Sequence, residues 1–228
     1  VTVAGLLRKA LAFEIGTWRS LWRWVRRRPD VPAGADAFPY ASAVTPVLWT
    51  FVVLSAVEIP LVDWLLPWRS LRIALLVLGV YGLLWMVGLL ASMRVYPHTV
   101  GDGGLRVRSG TTVDVRVPWE EIAAVRARRR SVEGSRTVVV EESGEHRAVS
   151  VTVLSSTQVD VELRSPLVLP LARTGGRPVT ELRLAADDPA ALVRRLRAGV
   201  ADHAARDGAA RDGAARDDTA ARADGDAR

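Results

Sequence analysis

Two long apolar segments, separated by four residues, limit this chain more than anything else in it. Residues 45–66 and 71–93 each supply the roughly 20 residues needed to cross ~30 Å of hydrocarbon. Between them lies only Pro67-Trp68-Arg69-Ser70, which admits nothing but a tight antiparallel turn. The two segments are therefore expected to form a transmembrane hairpin over residues 45–93, with both flanks on one side of the membrane. Arg26, Arg27, Arg28, Arg94, Arg106 and Arg108 flank the open end, against Arg69 and Arg72 at the turn. Basic residues concentrate on the cytoplasmic side of membrane proteins. The expectation is a multi-pass protein of the cell (plasma) membrane with both termini cytoplasmic.

The remaining residues divide around the hairpin. Residues 1–30 read as a basic amphipathic helix of the membrane interface. Leu7, Leu11, Trp18, Leu21, Trp22 and Val25 recur at helical spacing, with Arg19, Arg23, Arg26 and Arg27 largely opposite. Packing on the soluble part of the chain is the other reading of that stripe. No apolar run and cleavage site of a signal peptide is expected in this segment. Pro29, Pro32 and Gly34 end the helix and open a linker over residues 31–44.

From residue 94 to 200 the apolar period changes from helical to two. Alternating runs at 105–108, 113–117, 122–128, 136–141, 149–154, 159–163 and 179–185 are separated by Gly- and Ser-rich turns. Asp187-Asp188-Pro189 then caps a helix with an apolar stripe at Leu192, Val193, Leu196 and Val200. Seven short strands and a closing helix predict an α+β membrane protein whose small sandwich or partly open barrel is closed by a C-terminal helix. Residues 201–228, with AARDG twice, contain no core-forming residues and are expected to be a disordered or weakly helical tail.

Few residues invite chemistry. The chain has no cysteine, so disulfides and thiolate chemistry are excluded. The three histidines are scattered without partners at ligand spacing, and no nucleophile or phosphate-loop motif is present. No metal, cofactor or enzymatic activity is expected. Glu58, in the middle of the first segment, is the most informative residue, because a carboxylate there costs about 2.5–3.5 kcal/mol on insertion scales. Folding the hairpin brings it to the depth of Gly79 to Gly82, within reach of Tyr81. It serves either as a relay or contact to a partner helix, or as a protonated group fixing helix register. Asp63 falls near Arg69 and Arg72 and is expected in an interfacial ion pair. Arg126, Arg128 and Arg130 share one strand face and form either a solvated edge or a basic patch for anionic lipid or an acidic protein. Few aromatic residues lie nearby, which argues against nucleic acid.

One segment, His98-Thr-Val-Gly-Asp-Gly-Gly-Leu-Arg-Val-Arg-Ser-Gly, reads strand, turn, strand, and is followed by Val117-Pro118-Trp119-Glu120-Glu121-Ile122. With two spans before it and a helix after it, this resembles the bacterial pleckstrin-homology-like (PH-like) membrane proteins across residues 45–200. The whole chain is also similar to small membrane proteins of GC-rich bacteria that carry Glu-x-Pro in the first span. The resemblance implies a scaffold or binding module. The expected function is a membrane-anchored adaptor, with the anionic inner leaflet, a protein partner and a second copy bound through the hairpin as candidate partners. The alternative is an accessory subunit of a transporter or envelope complex, using Glu58 within a helix bundle.

Overall fold

A computed structural model describes residues 3–225 apart from Ser135 and Glu145. Four helices and nine strands are found among the described residues: α1 (Val3–Val25), β1 (Asp36–Phe38), α2 (Thr45–Leu65), α3 (Arg69–Val95), β2 (His98–Gly101), β3 (Gly104–Ser109), β4 (Val113–Val117), β5 (Ile122–Ser131), β6 (Val138–Ser143), β7 (His146–Val151), β8 (Ser156–Leu167), β9 (Val179–Leu184) and α4 (Pro189–Gly225). The chain is α+β: two long apolar helices, then two open sheets and a C-terminal helix.

Helices α2 and α3 are long and apolar enough to cross a membrane. Only 6% and 11% of their most apolar stretches are buried, so these helices expose their side chains rather than form a core. Exposed Phe51, Val53, Leu54, Val77 and Leu78 would be costly in water. The helices approach closely where Gly79 faces Ile59; a Cβ on Gly79 would lie 2.9 Å from the Ile59 side chain. Pro60 stays inside a continuous α2. The last turns of α3 differ from its beginning, because Gly88, Leu90, Ala91, Ser92 and Val95 are buried against protein. The second apolar segment thus ends inside the junction with the sheets.

The first sheet has the order β1-β2-β3-β4 and the second β5-β8-β9-β7-β6. Every pairing is antiparallel except β7 with β9. The sheets do not close into a barrel. Alternation places Val107, Val115, Val117, Val149, Val159, Val161, Leu182 and Leu184 inward, where they meet Leu192 and Leu196 of α4 in one core. Gly104 allows the tight β2–β3 turn, with φ of 114° and no room for a Cβ beside the Val117 carbonyl.

One sequence expectation needs correction here, and one alternative is narrowed. The linker over residues 31–44 contributes β1, which pairs with β2 through Asp36↔Val100 and Phe38↔His98. A three-residue strand is too short to show alternation. Within the described residues the expected tail is helical, since α4 runs on to Gly225. Its Ala and Arg residues favour helix.

Candidate functional site

The polar groups fall into three places: the helix layer, its junction with the sheets, and the outer face of the second sheet.

In the helix layer, Asp63 and Arg72 form the expected ion pair at 3.3 Å. The expected approach of Tyr81 to Glu58 is not found. Tyr81 donates its hydroxyl hydrogen to Glu14 of α1 instead. The reason is the placement of α1, which packs lengthwise on α3: Phe13 meets Trp85 at 6.0 Å and Trp18 meets Tyr81 at 6.2 Å. Glu58 lies on the other side of α3, exposed at a groove of about 470 Å³ lined by Ser55, Val62, Leu78, Gly79, Gly82 and Trp85. Glu14 is the sole acidic residue in the first 28, and that was the available signal for a polar contact between helices.

Nearer the sheets, the face of α1 against α3 carries small residues. Thr17 and Ser20 are buried, and a Cβ on Gly88 would lie 2.6 Å from the Thr17 methyl. The apolar stripe foreseen in the sequence points away from the protein, leaving Leu7, Leu11, Trp22 and Val25 exposed. Among the flanking arginines, Arg23 bonds Asp30 at 2.9 Å and Arg26 stacks over Trp22 at 4.1 Å. Arg27 ends the helix with φ of 51°, and Arg19 is exposed.

At the junction, charged and aromatic groups tie helix ends to the first sheet. Arg108 is buried, pairs with Asp30 and lies 4.2 Å above the Tyr96 ring. Arg106 holds Asp114 through two bonds, of 2.7 and 2.5 Å. Burial tends to raise the Asp30 carboxyl's pKa, but Arg108, Arg23 and Arg106 more than offset this and lower it. The Tyr40 hydroxyl accepts the Gly110 N–H at 2.7 Å, and burial pushes its pKa up to about 12. His98 is fully buried: its Nδ1 accepts the Arg108 N–H at 3.0 Å and its Nε2 donates to the Ala185 carbonyl at 2.9 Å. Burial holds the imidazole neutral, with its pKa lowered to about 4. None of these roles was legible in the sequence, because the partners lie far apart along the chain.

On the second sheet, Arg126, Arg128 and Arg130 line one groove, and Arg126 and Arg130 are paired with carboxylates there. Cross-strand neighbours on β8 and β9 supply carboxylates. Arg130 bonds Asp160 at 2.9 Å, Arg126 pairs with Glu162 at 3.2 Å, and Arg183 bonds Glu181 at 3.0 Å and Glu141 at 2.6 Å. Burial would raise the Glu181 carboxyl, but bonds from Arg183 and His146 and the nearby Arg130 bring it down to about 2. The result is a shallow groove of about 350 Å³ in which Arg126, Arg128, Arg130 and Arg183 alternate with Asp160, Glu162 and Glu181. Such a surface matches a partner with both signs of charge better than a uniformly anionic one.

No family model, curated protein or solved structure matches the chain. Any functional reading rests on these three places alone.

Proposed function

We propose that the protein is a non-enzymatic membrane-anchored adaptor, in which the helices fix a PH-like β-domain at the cytoplasmic face and its mixed-charge sheet face docks a protein. The observation that carries this reading is the junction. A domain needed only near the membrane could hang from a flexible linker. Here Asp30, Arg108 and Tyr40 fasten the first sheet to the helix ends, the Asp30 N–H adds a bond to the Val95 carbonyl at 2.8 Å, and His98 ties the first sheet to the Ala185 carbonyl at the end of β9. The second sheet is thereby held at one attitude to the membrane.

The orientation follows from the arginines at the open end of the hairpin, which favour the cytoplasm. PH-like character is supported by two packed sheets with one C-terminal helix against the core. The strand from before the hairpin and the parallel β7–β9 pair depart from a simple antiparallel sandwich. A non-enzymatic role is supported by the commitment of His98, Glu181 and Asp160 to structural bonds. The mixed charge of the groove favours protein over anionic lipid as its partner.

A second reading, an accessory subunit within a membrane complex, is favoured by Glu58, which lines a groove without a hydrogen bond or ion pair to another described residue. A photo-crosslinking side chain separates the two. Placed at Arg128 in native membranes, it is expected to capture a protein, with capture lost on Glu162→Arg in the same chain. Capture at Glu58 and not at Arg128 would favour the second reading.

A further inference from the structure

An amphipathic basic helix beside a hairpin would ordinarily be laid in the headgroup plane. The contacts of α1 describe a different placement. Successive residues of α1 meet successive turns of α3 in the same direction: Glu14 bonds Tyr81, Thr17 packs on Gly88, and Arg23 lies 6.0 Å from the Tyr96 ring. Trp18 reaches back to Tyr81 because side chains on a helix tilt towards its N-terminus. A helix lying in the headgroup plane would cross α3 at one level. This one follows α3 away from the sheets.

We infer that α1 is a third membrane-embedded helix, with acyl chains covering its outward stripe of Leu7, Leu11, Ile15, Trp18 and Trp22. The inference rests on the reading of α2 and α3 as a membrane hairpin. Three observations carry it. The outward stripe is apolar, with Leu7, Leu11 and Ile15 exposed by 59%, 59% and 66%. It adjoins the exposed apolar surface of α3, so one solvent must cover both. The carboxylate in this part of the helix, Glu14, is not left unpaired at the edge of that stripe but accepts the Tyr81 hydroxyl hydrogen, as a polar group bordering lipid would have to.

Depth follows from helix rise. Tyr81 lies twelve residues beyond Arg69, about 18 Å at 1.5 Å per residue. Arg8 precedes Glu14 by six residues, about 9 Å along the same direction. The upstream half of α1 therefore lies within the hydrocarbon layer, and Arg8 is near enough to the hairpin-turn face to extend its charge to the headgroups there. Arg19, Arg23, Arg26 and Arg27 remain on the side of the sheets. The upstream end of α1 thus points to the membrane face opposite the β-domain.

The chain contains no cysteine, so single-cysteine variants of the full protein report position without background. A membrane-impermeant maleimide is applied to right-side-out and inside-out vesicles. Asp102→Cys in the β2–β3 turn and Ser70→Cys in the hairpin turn mark the two faces. Leu11→Cys and Ala12→Cys should lose labelling from both sides and regain it in detergent, and Arg8→Cys should not be labelled from the Asp102 side. Ala12 lies on the same helix face as Arg8 and Arg19, so an in-plane helix would leave it accessible. Labelling of Ala12→Cys or Arg8→Cys from the Asp102 side overturns the inference while leaving the hairpin intact. Labelling of Ser70→Cys and Asp102→Cys from the same side overturns the hairpin reading itself, and this inference with it.

Discussion

The Arg108 guanidinium lies against the Asp30 carboxylate, 78 positions earlier in the chain and on the other side of the hairpin. Arg108 has 9% of its side chain exposed, and Asp30 also receives a bond from Arg23. One carboxylate thus joins the end of α1 to β3. Asp30→Ala leaves a buried guanidinium short of its counter-charge and should cost about 2 kcal/mol. In a chain of this size that lowers the melting temperature in detergent by about 4–8 °C. An unchanged melting temperature would show that the junction is not fastened there.

His98 makes stability depend on pH in a defined window. Its folded pKa of about 4 lies below the ordinary 6.5, so the unfolded chain binds the extra proton first. The contribution is present in full above pH 6.5 and is lost as pH falls towards 4. His98→Gln should lower stability at pH 7 and flatten the slope between those values, as read from melting temperature against pH. The Glu181 carboxyl, held at about 2, contributes above its ordinary 4.5 and loses that contribution below it, so the two windows separate.

Gly199 on α4 has no space for a side chain, because a Cβ there would enter the volume of the Trp119 ring. Alanine is the better helix former by about 1 kcal/mol, yet overpacking costs about 1–3 kcal/mol. Gly199→Ala should therefore destabilise the β-domain, with a fall in denaturation midpoint and a shift in Trp119 fluorescence. A stabilised variant would mean that α4 packs more loosely on Trp119.

Tyr81→Phe removes the donor to Glu14. Hydrogen bonds between membrane helices contribute about 1 kcal/mol. Backbone amide exchange in α1 should quicken around Glu14, with α2 unaffected. Glu58→Gln should leave α1 exchange unchanged, since Glu58 is on the far side of α3.

Much of this architecture was readable from local pattern. Each of the seven alternating runs overlaps a strand, and Asp188 caps α4 as its spacing promised, accepting the Ala191 N–H at 2.9 Å. Asp63 and Arg72 met because a short turn sets their depth. Pattern failed where distant segments meet. β1 has three residues and no period, so its pairing with β2 appears only when the hairpin returns the chain beside it. The apolar stripe of α1 was visible, but its buried face is set by small residues that carry no hydropathy signal: Thr17 against Gly88 of α3, Ser20, and Gly16 against Thr111 of the β3–β4 turn. Arg126 and Arg130 looked like free charge because their carboxylates come from β8 and β9, paired across the sheet.

The central claim is that the second sheet is held at one attitude to the membrane helices. Spin labels at Ser70→Cys in the hairpin turn and Arg128→Cys on β5, in the full chain in nanodiscs, test it directly by pulsed electron resonance. A single narrow distance distribution, broadened by Asp30→Ala, is the result this account predicts. A broad distribution in the otherwise unaltered chain would contradict it.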